Sequence, residues 1–234
     1  MLKRWVQTVG EEHADFYATI EAAYRQPHRH YHTLSHLEMC FATLDRIFPS
    51  PNRRRAIELA LWFHDLVLDV RSPGSEEQSA ELAVQFMRGA SMPEWALVAE
   101  LILATRHRED VVANPAAKIV LDCDLSIFAA PREVFDQYEA NIRKEFAWVS
   151  EDAFMATRKS IMERFANRPW IFQTVEMKLA SEFEARCNLN RSIEKLSRYT
   201  PQVKVVTPSE KARRFSDELD SLFKGVRMLL EQVD

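Results

Sequence analysis

The chain has 234 residues, 47% of them hydrophobic and 28% charged, which suits one sizeable soluble domain with room for a helical appendage. Its 4 glycines argue against Rossmann and P-loop nucleotide sites, whose backbones need glycine against phosphate, and against a strand-and-turn architecture. A net charge of −4 argues against a broad nucleic-acid surface while leaving room for a local basic pocket.

In chain order, the N-terminus MLKRWVQTVGEEH lacks the apolar core of a signal peptide, and no apolar run reaches membrane-spanning length, so a cytoplasmic protein is expected. Asp15 to Tyr24 reads as a helix, followed by a polar, aromatic break from Gln26 to His32. Leu37, Phe41, Leu44 and Phe48 recur at spacings of three and four and predict a helix from Leu34 to Phe48. Pro49 to Asn52 stops it, with Asn52 available to cap the next helix. That helix is predicted over Arg54–Leu68, with Ile57, Leu61, His64 and Leu68 on one side, and Arg71 to Ser75 is a loop. Further helices are predicted over Glu76–Gly89, Pro93–His107, Ala116–Ala129, Pro131–Phe146, Glu151–Phe165 and Pro169–Arg186. Val203–Val206 could form a short strand. Lys211–Leu230 repeats Phe215, Leu219, Leu222, Phe223 and Val226, a stripe suited to packing on the body or on a partner, a homodimer included. The expectation is an all-α protein with a helical body over 1–190 and a linker plus C-terminal amphipathic helix over 191–234.

Three cysteines, Cys40, Cys123 and Cys187, lie far apart, so neither a zinc knuckle nor a disulfide framework is expected. Cys40 and Cys123 sit among apolar residues and read as small buried side chains.

Chemistry is expected where polar residues interrupt greasy helices. His64 and Asp65 follow the run Leu59-Ala60-Leu61-Trp62-Phe63, and His64 falls on the apolar stripe. A buried, ionised aspartate is costly unless a charge or a metal compensates it. His36 lines up with Cys40, Thr43 and Leu44 at the edge of its own apolar face. Asp124 shares a helical face with Val120, Leu121 and Phe128, whereas Asp122 follows the polar line Lys118–Asp122–Ser126. Periodicity therefore turns Asp124 inward and leaves Asp122 nearer solvent or behind the ligands.

The stretches HRHYHTLSHL, ALWFHDLVLD, LILATRH and LDCDLSIF, in that order, resemble the HD-domain superfamily of metal-dependent phosphohydrolases. The likeness is closest to a bacterial subgroup of predicted HD-type hydrolases and runs from about Pro27 to Arg186. It implies an HD-type helical bundle and a divalent metal held by His36, His64, Asp65 and Asp124, with His32 competing with His36 as first ligand. His107 matches a position that in some relatives supports a second metal or the substrate phosphate, which leaves one or two ions open. Such ligands suit Mn, Fe, Ni, Co or Zn, and Mg when waters complete the shell. Asp65 could also take a proton from a metal-activated water. Positive charge for a phosphorylated small molecule, a nucleotide among the options, is sought in Arg29, Arg106, Arg143 and Arg168, with Arg106 and Arg108 flanking His107; Arg106, His32 and Arg143 are the candidate substrate-binding residues. Glu76 is a candidate to orient His64 or a metal-bound water. Two other readings are a di-iron oxygenase drawing on His32 and His107, and a non-catalytic, metal-stabilised binding module.

Overall fold

The computed structural model describes residues 1–108 and 111–200, and every regular element among them is helical. The order is α1 (Leu2–Val9), a 3-10 segment (Glu11–Phe16), α2 (Tyr17–Tyr24), α3 (Leu34–Ile47), α4 (Arg54–Phe63), α5 (Ser75–Gly89) and α6 (Trp95–Ala104). Then come α7 (Pro115–Asp124), a second 3-10 segment (Leu125–Ala129), α8 (Arg132–Glu145), α9 (Glu151–Ala166) and α10 (Val175–Ser197). Met1–Tyr199 forms one compact unit, and α10 runs unbroken past residue 190. The short strand expected near Val203 and the helix expected from Lys211 lie outside the described residues. No helix among the described residues is long and apolar enough to cross a membrane.

The body is built around α4. Every residue from Ala56 to Phe63 is buried, and the helix packs against α1, α3, α5, α6 and α7. A helix covered on all sides has no need of a polar face, and here only Glu58 breaks the run. Its carboxylate accepts from Arg4 at 2.9 Å, Arg54 at 3.0 Å and the Thr8 hydroxyl at 2.8 Å, which ties α1 to the core. Trp5 of α1 packs edge-on against Trp62 with ring centres 5.5 Å apart. Eight residues carry too short a pattern for periodicity to predict α1.

Two helix ends differ from expectation, and long-range hydrogen bonds explain both. Helix α4 stops at Phe63 instead of Leu68. The Arg29 guanidinium donates to the carbonyls of Asp65 (2.6 Å) and Leu66 (2.8 Å), and the Val67 N–H donates to the Ser79 hydroxyl at 3.0 Å. Ser79 takes the N–H that a helix to Leu68 would have used, and Arg29 holds the carbonyls of the turn that replaces it. Helix α10 begins at Val175, not Pro169. The Asp122 carboxylate accepts the N–H groups of Gln173 (2.6 Å) and Thr174 (2.8 Å), and Glu182 accepts those of Ile171 and Phe172 at 3.0–3.2 Å. Thr174 then caps the helix through the Met177 N–H. Asn52 does not cap α4: the position before the helix belongs to Arg53, in left-handed backbone at φ 61°.

Candidate metal centre

The ends of three helices meet at one point. His36 comes from the first turn of α3, His64 and Asp65 follow the last turn of α4, and Asp124 is the last residue of α7. The imidazoles are buried, with side-chain exposures of 0% and 1%, and the carboxylates are nearly so at 18% and 17%. His36 Nε2 lies 3.1 Å from His64 Nε2, 3.2 Å from Asp124 Oδ1 and 3.5 Å from Asp65 Oδ2. His64 Nε2 lies 3.1 Å from Asp65 Oδ2 and 3.6 Å from Asp124 Oδ1. Donors about 2.1 Å from a shared ion stand about 3.4 Å apart at tetrahedral angles and about 3.0 Å apart at right angles. The observed separations fall on that scale, and the donor sets close enough together to hold one ion are His36, His64 and Asp65, and His36, Cys40 and Asp124.

Burial opposes charge on His64, yet the neighbouring Asp65 and Asp124 carboxylates hold its pKa well above the ordinary histidine value. Burial likewise opposes charge on both aspartates. His64 and His32 more than offset it at Asp65, as hydrogen bonds from His107, His36 and His64 do at Asp124, so both carboxylates stay ionised. His64 Nδ1 lies 2.9 Å from the Leu61 carbonyl, a contact that requires a proton on Nδ1, so Nε2 can turn a lone pair to a cation once it gives up its own proton. Two imidazole nitrogens 3.1 Å apart need a proton or a cation between them.

The other sequence candidates separate clearly. His36 stands in both groups of donors able to hold an ion among the described residues, while His32 and His107 stand in neither. The second of these groups adds Cys40 to His36 and Asp124. Cys40 and Cys123 are buried as expected, and Cys187 is exposed. His32 Nδ1 lies 2.7 Å from Glu145 Oε2, and His32 lines the cavity beside Asp65. His107 follows α6 in left-handed backbone at φ 52°, an unfavourable region for a non-glycine residue, and its Nε2 lies 2.9 Å from Asp124 Oδ2. It is thus aimed at the oxygen of Asp124 that faces away from His36, while its buried Nδ1 has no hydrogen-bond partner.

Asp122 is fully buried at the start of α10 and is nearer neither solvent nor the ligands; burial pushes its pKa up to about 6 although Thr174 and two backbone N–H groups hydrogen-bond it. Glu76 lines the cavity, but the partner of His64 Nδ1 is the Leu61 carbonyl. Arg106 pairs with Glu77 at 2.5 Å, and Arg143 binds Glu151 and the carbonyls of Phe146 and Val149. Neither lines the cavity beside the aspartates. Arg29 is occupied by the turn after α4, and Arg168 donates to the His107 carbonyl at 2.9 Å.

Two residues of the site escaped the sequence reading. Glu145 Oε1 accepts the N–H groups of His30, Tyr31 and His32 at 2.7–3.0 Å while Oε2 meets the His32 ring, so one carboxylate shapes the whole turn before α3. Arg158 lines the cavity, held by Glu139 and the Tyr138 hydroxyl. Both carry the signal that exposed His64. Glu145 lies on the buried stripe Phe135–Tyr138–Ile142 of α8, and Arg158 on Phe154–Met162–Phe165 of α9. Compared with protein-family models, curated proteins and solved structures, the chain matches none.

Proposed function

We propose that the chain is a metal-dependent phosphohydrolase of HD type, acting on a small phosphorylated compound. The observation that carries this reading is a pair of imidazoles 3.1 Å apart, each within 3.1–3.6 Å of a carboxylate oxygen of Asp65 and of Asp124, at the edge of a cavity. His36, His64, Asp65 and Asp124 would hold the ion, which supplies Lewis-acid polarisation of a phosphoryl oxygen and a lowered pKa for a bound water. The chain's own groups do the rest. Asp65 and Asp124, ionised at neutral pH, offer carboxylate oxygens able to take a proton from an attacking water. With Nδ1–H given to Glu145, His32 keeps Nε2 for the phosphoryl group. His107 positions Asp124 through the 2.9 Å contact to Oδ2.

A di-iron centre would have to recruit His32 and His107, and both already engage carboxylates, Glu145 and Asp124. The hydrolytic reading with one ion is therefore preferred. A cavity opening onto the Asp65 and Asp124 carboxylates also favours catalysis over a purely stabilising metal. The test is phosphate release from a panel of phosphorylated metabolites with Mn, Co, Ni or Mg. Activity abolished by chelator and by Asp65→Ala is expected. Oxygen-dependent turnover with iron, and no phosphate release under any metal, would overturn the reading.

A further inference from the structure

The cavity beside Asp65 and Asp124 has a volume of about 420 Å³, the size of a small-molecule site. Its charge is lopsided. Four carboxylates line it (Asp65, Asp69, Glu76 and Asp124) against a single guanidinium, that of Arg158. That guanidinium is committed: Arg158 is 7% exposed, and its Nη2 donates to the Tyr138 hydroxyl at 2.6 Å and to Glu139. Each further phosphate on a ligand adds negative charge that arginine, lysine or more metal must meet. Beyond one ion the lining adds only the imidazoles of His32 and His107, and both already face carboxylates, Glu145 and Asp124. The apolar part of the lining is formed by Phe146 beyond α8, Ile161 and Phe165 from α9, and Ile127 and Phe128 from the second 3-10 segment.

We infer that the site takes the monophosphate ester of a compact apolar or aromatic alcohol and discriminates against polyphosphates. The single phosphoryl group sits at the aspartates and His32, and the organic group packs among Phe146, Ile161 and Phe165. This ligand class rests on the phosphohydrolase reading for its reaction, but binding alone tests it.

The experiment is calorimetric titration of the full chain, with Mg in excess over every ligand, using phenylphosphonate, methylphosphonate and methylenediphosphonate, none of which is hydrolysed. Phenylphosphonate is expected to bind about ten- to a hundredfold more tightly than methylphosphonate, as burial of one phenyl group predicts. It should also bind more tightly than the diphosphonate. In Ile161→Ala and Phe146→Ala, both at partly buried positions, the phenyl-to-methyl ratio should fall toward one. Equal affinity for the phenyl and methyl compounds, tightest binding of the diphosphonate, or no binding of any of the three overturns the inference. Phenyl selectivity without phosphate release from phenyl phosphate under any metal would fail the hydrolase reading and support the ligand class. Hydrolysis of small phosphates without phenyl selectivity would do the reverse.

Discussion

Asp122 and Asp124 lie two positions apart on α7, roughly 200° around its axis, and they serve different ends of the molecule. Asp124 points an oxygen at His36 and His64, while Asp122 accepts three hydrogen bonds from Gln173 and Thr174. Asp122→Ala should therefore destabilise the fold by about 2–4 kcal/mol, since it strands buried donors, and still take up metal at saturating concentration. Asp124→Ala should lose the metal. Urea unfolding and metal content on the same preparations separate the two, and a folded, metal-free Asp122→Ala would refute the assignment. Glu145 gives a pH signature. Burial raises its pKa, but hydrogen bonds from His32 and the backbone outweigh burial and bring it from 4.5 to about 2. A depressed carboxylate stabilises the fold above its unfolded pKa and loses that contribution as pH falls through the folded one. The stability advantage of wild type over Glu145→Gln should thus shrink between about pH 4.5 and 2, as urea unfolding across that window would reveal. An advantage that stays constant would contradict the pairing. His64, Asp65 and Asp124 were legible in the sequence as polar groups on apolar helices. Glu145 and Arg158 carried the same mark, but their partners across the fold are not written in local spacing. Arg106 and Arg143 lie near the motifs in sequence, but their pairing with Glu77 and Glu151 depends on tertiary contacts that local spacing does not contain.

The helices themselves follow from periodicity, and their ends follow from contacts that periodicity does not contain. The turn after α4 carries Asp65 into the centre because Arg29 binds the Asp65 and Leu66 carbonyls. Had α4 continued to Leu68, the Val67 N–H would have been spent on a helix bond rather than on Ser79, and Asp65 aimed by helical geometry alone. Arg29→Met removes the donor while keeping much of the stem, so it should lower stability by about 1.5–3 kcal/mol and weaken metal binding. Metal titration of the folded variant checks this, and unchanged affinity would show that the turn holds without Arg29. The start of α10 is a second case. A proline-led helix from Pro169 is locally reasonable, but Asp122 and Glu182 capture the N–H groups of residues 171–174.

At the scale of the whole molecule, the centre joins α3, α4 and α7, with His107 arriving from beyond α6, so an ion bound there crosslinks much of the body. The all-helical class was legible from composition and periodicity, but this convergence was not, since it depends on the packing of buried α4 against its neighbours. Ligand linkage predicts about 2.7 kcal/mol of stabilisation at a metal concentration a hundredfold above Kd, or a Tm rise of about 5–10 °C for a body of this size. The rise should be absent in His64→Ala; an equal rise there would place the stabilising ion elsewhere. The most direct test of the central claim is metal content per chain, by elemental analysis of protein purified without chelator. About one divalent ion per chain is expected for wild type and for His32→Ala, with most of it lost in His36→Ala, His64→Ala, Asp65→Ala and Asp124→Ala. Undiminished metal in those four folded variants would contradict the account.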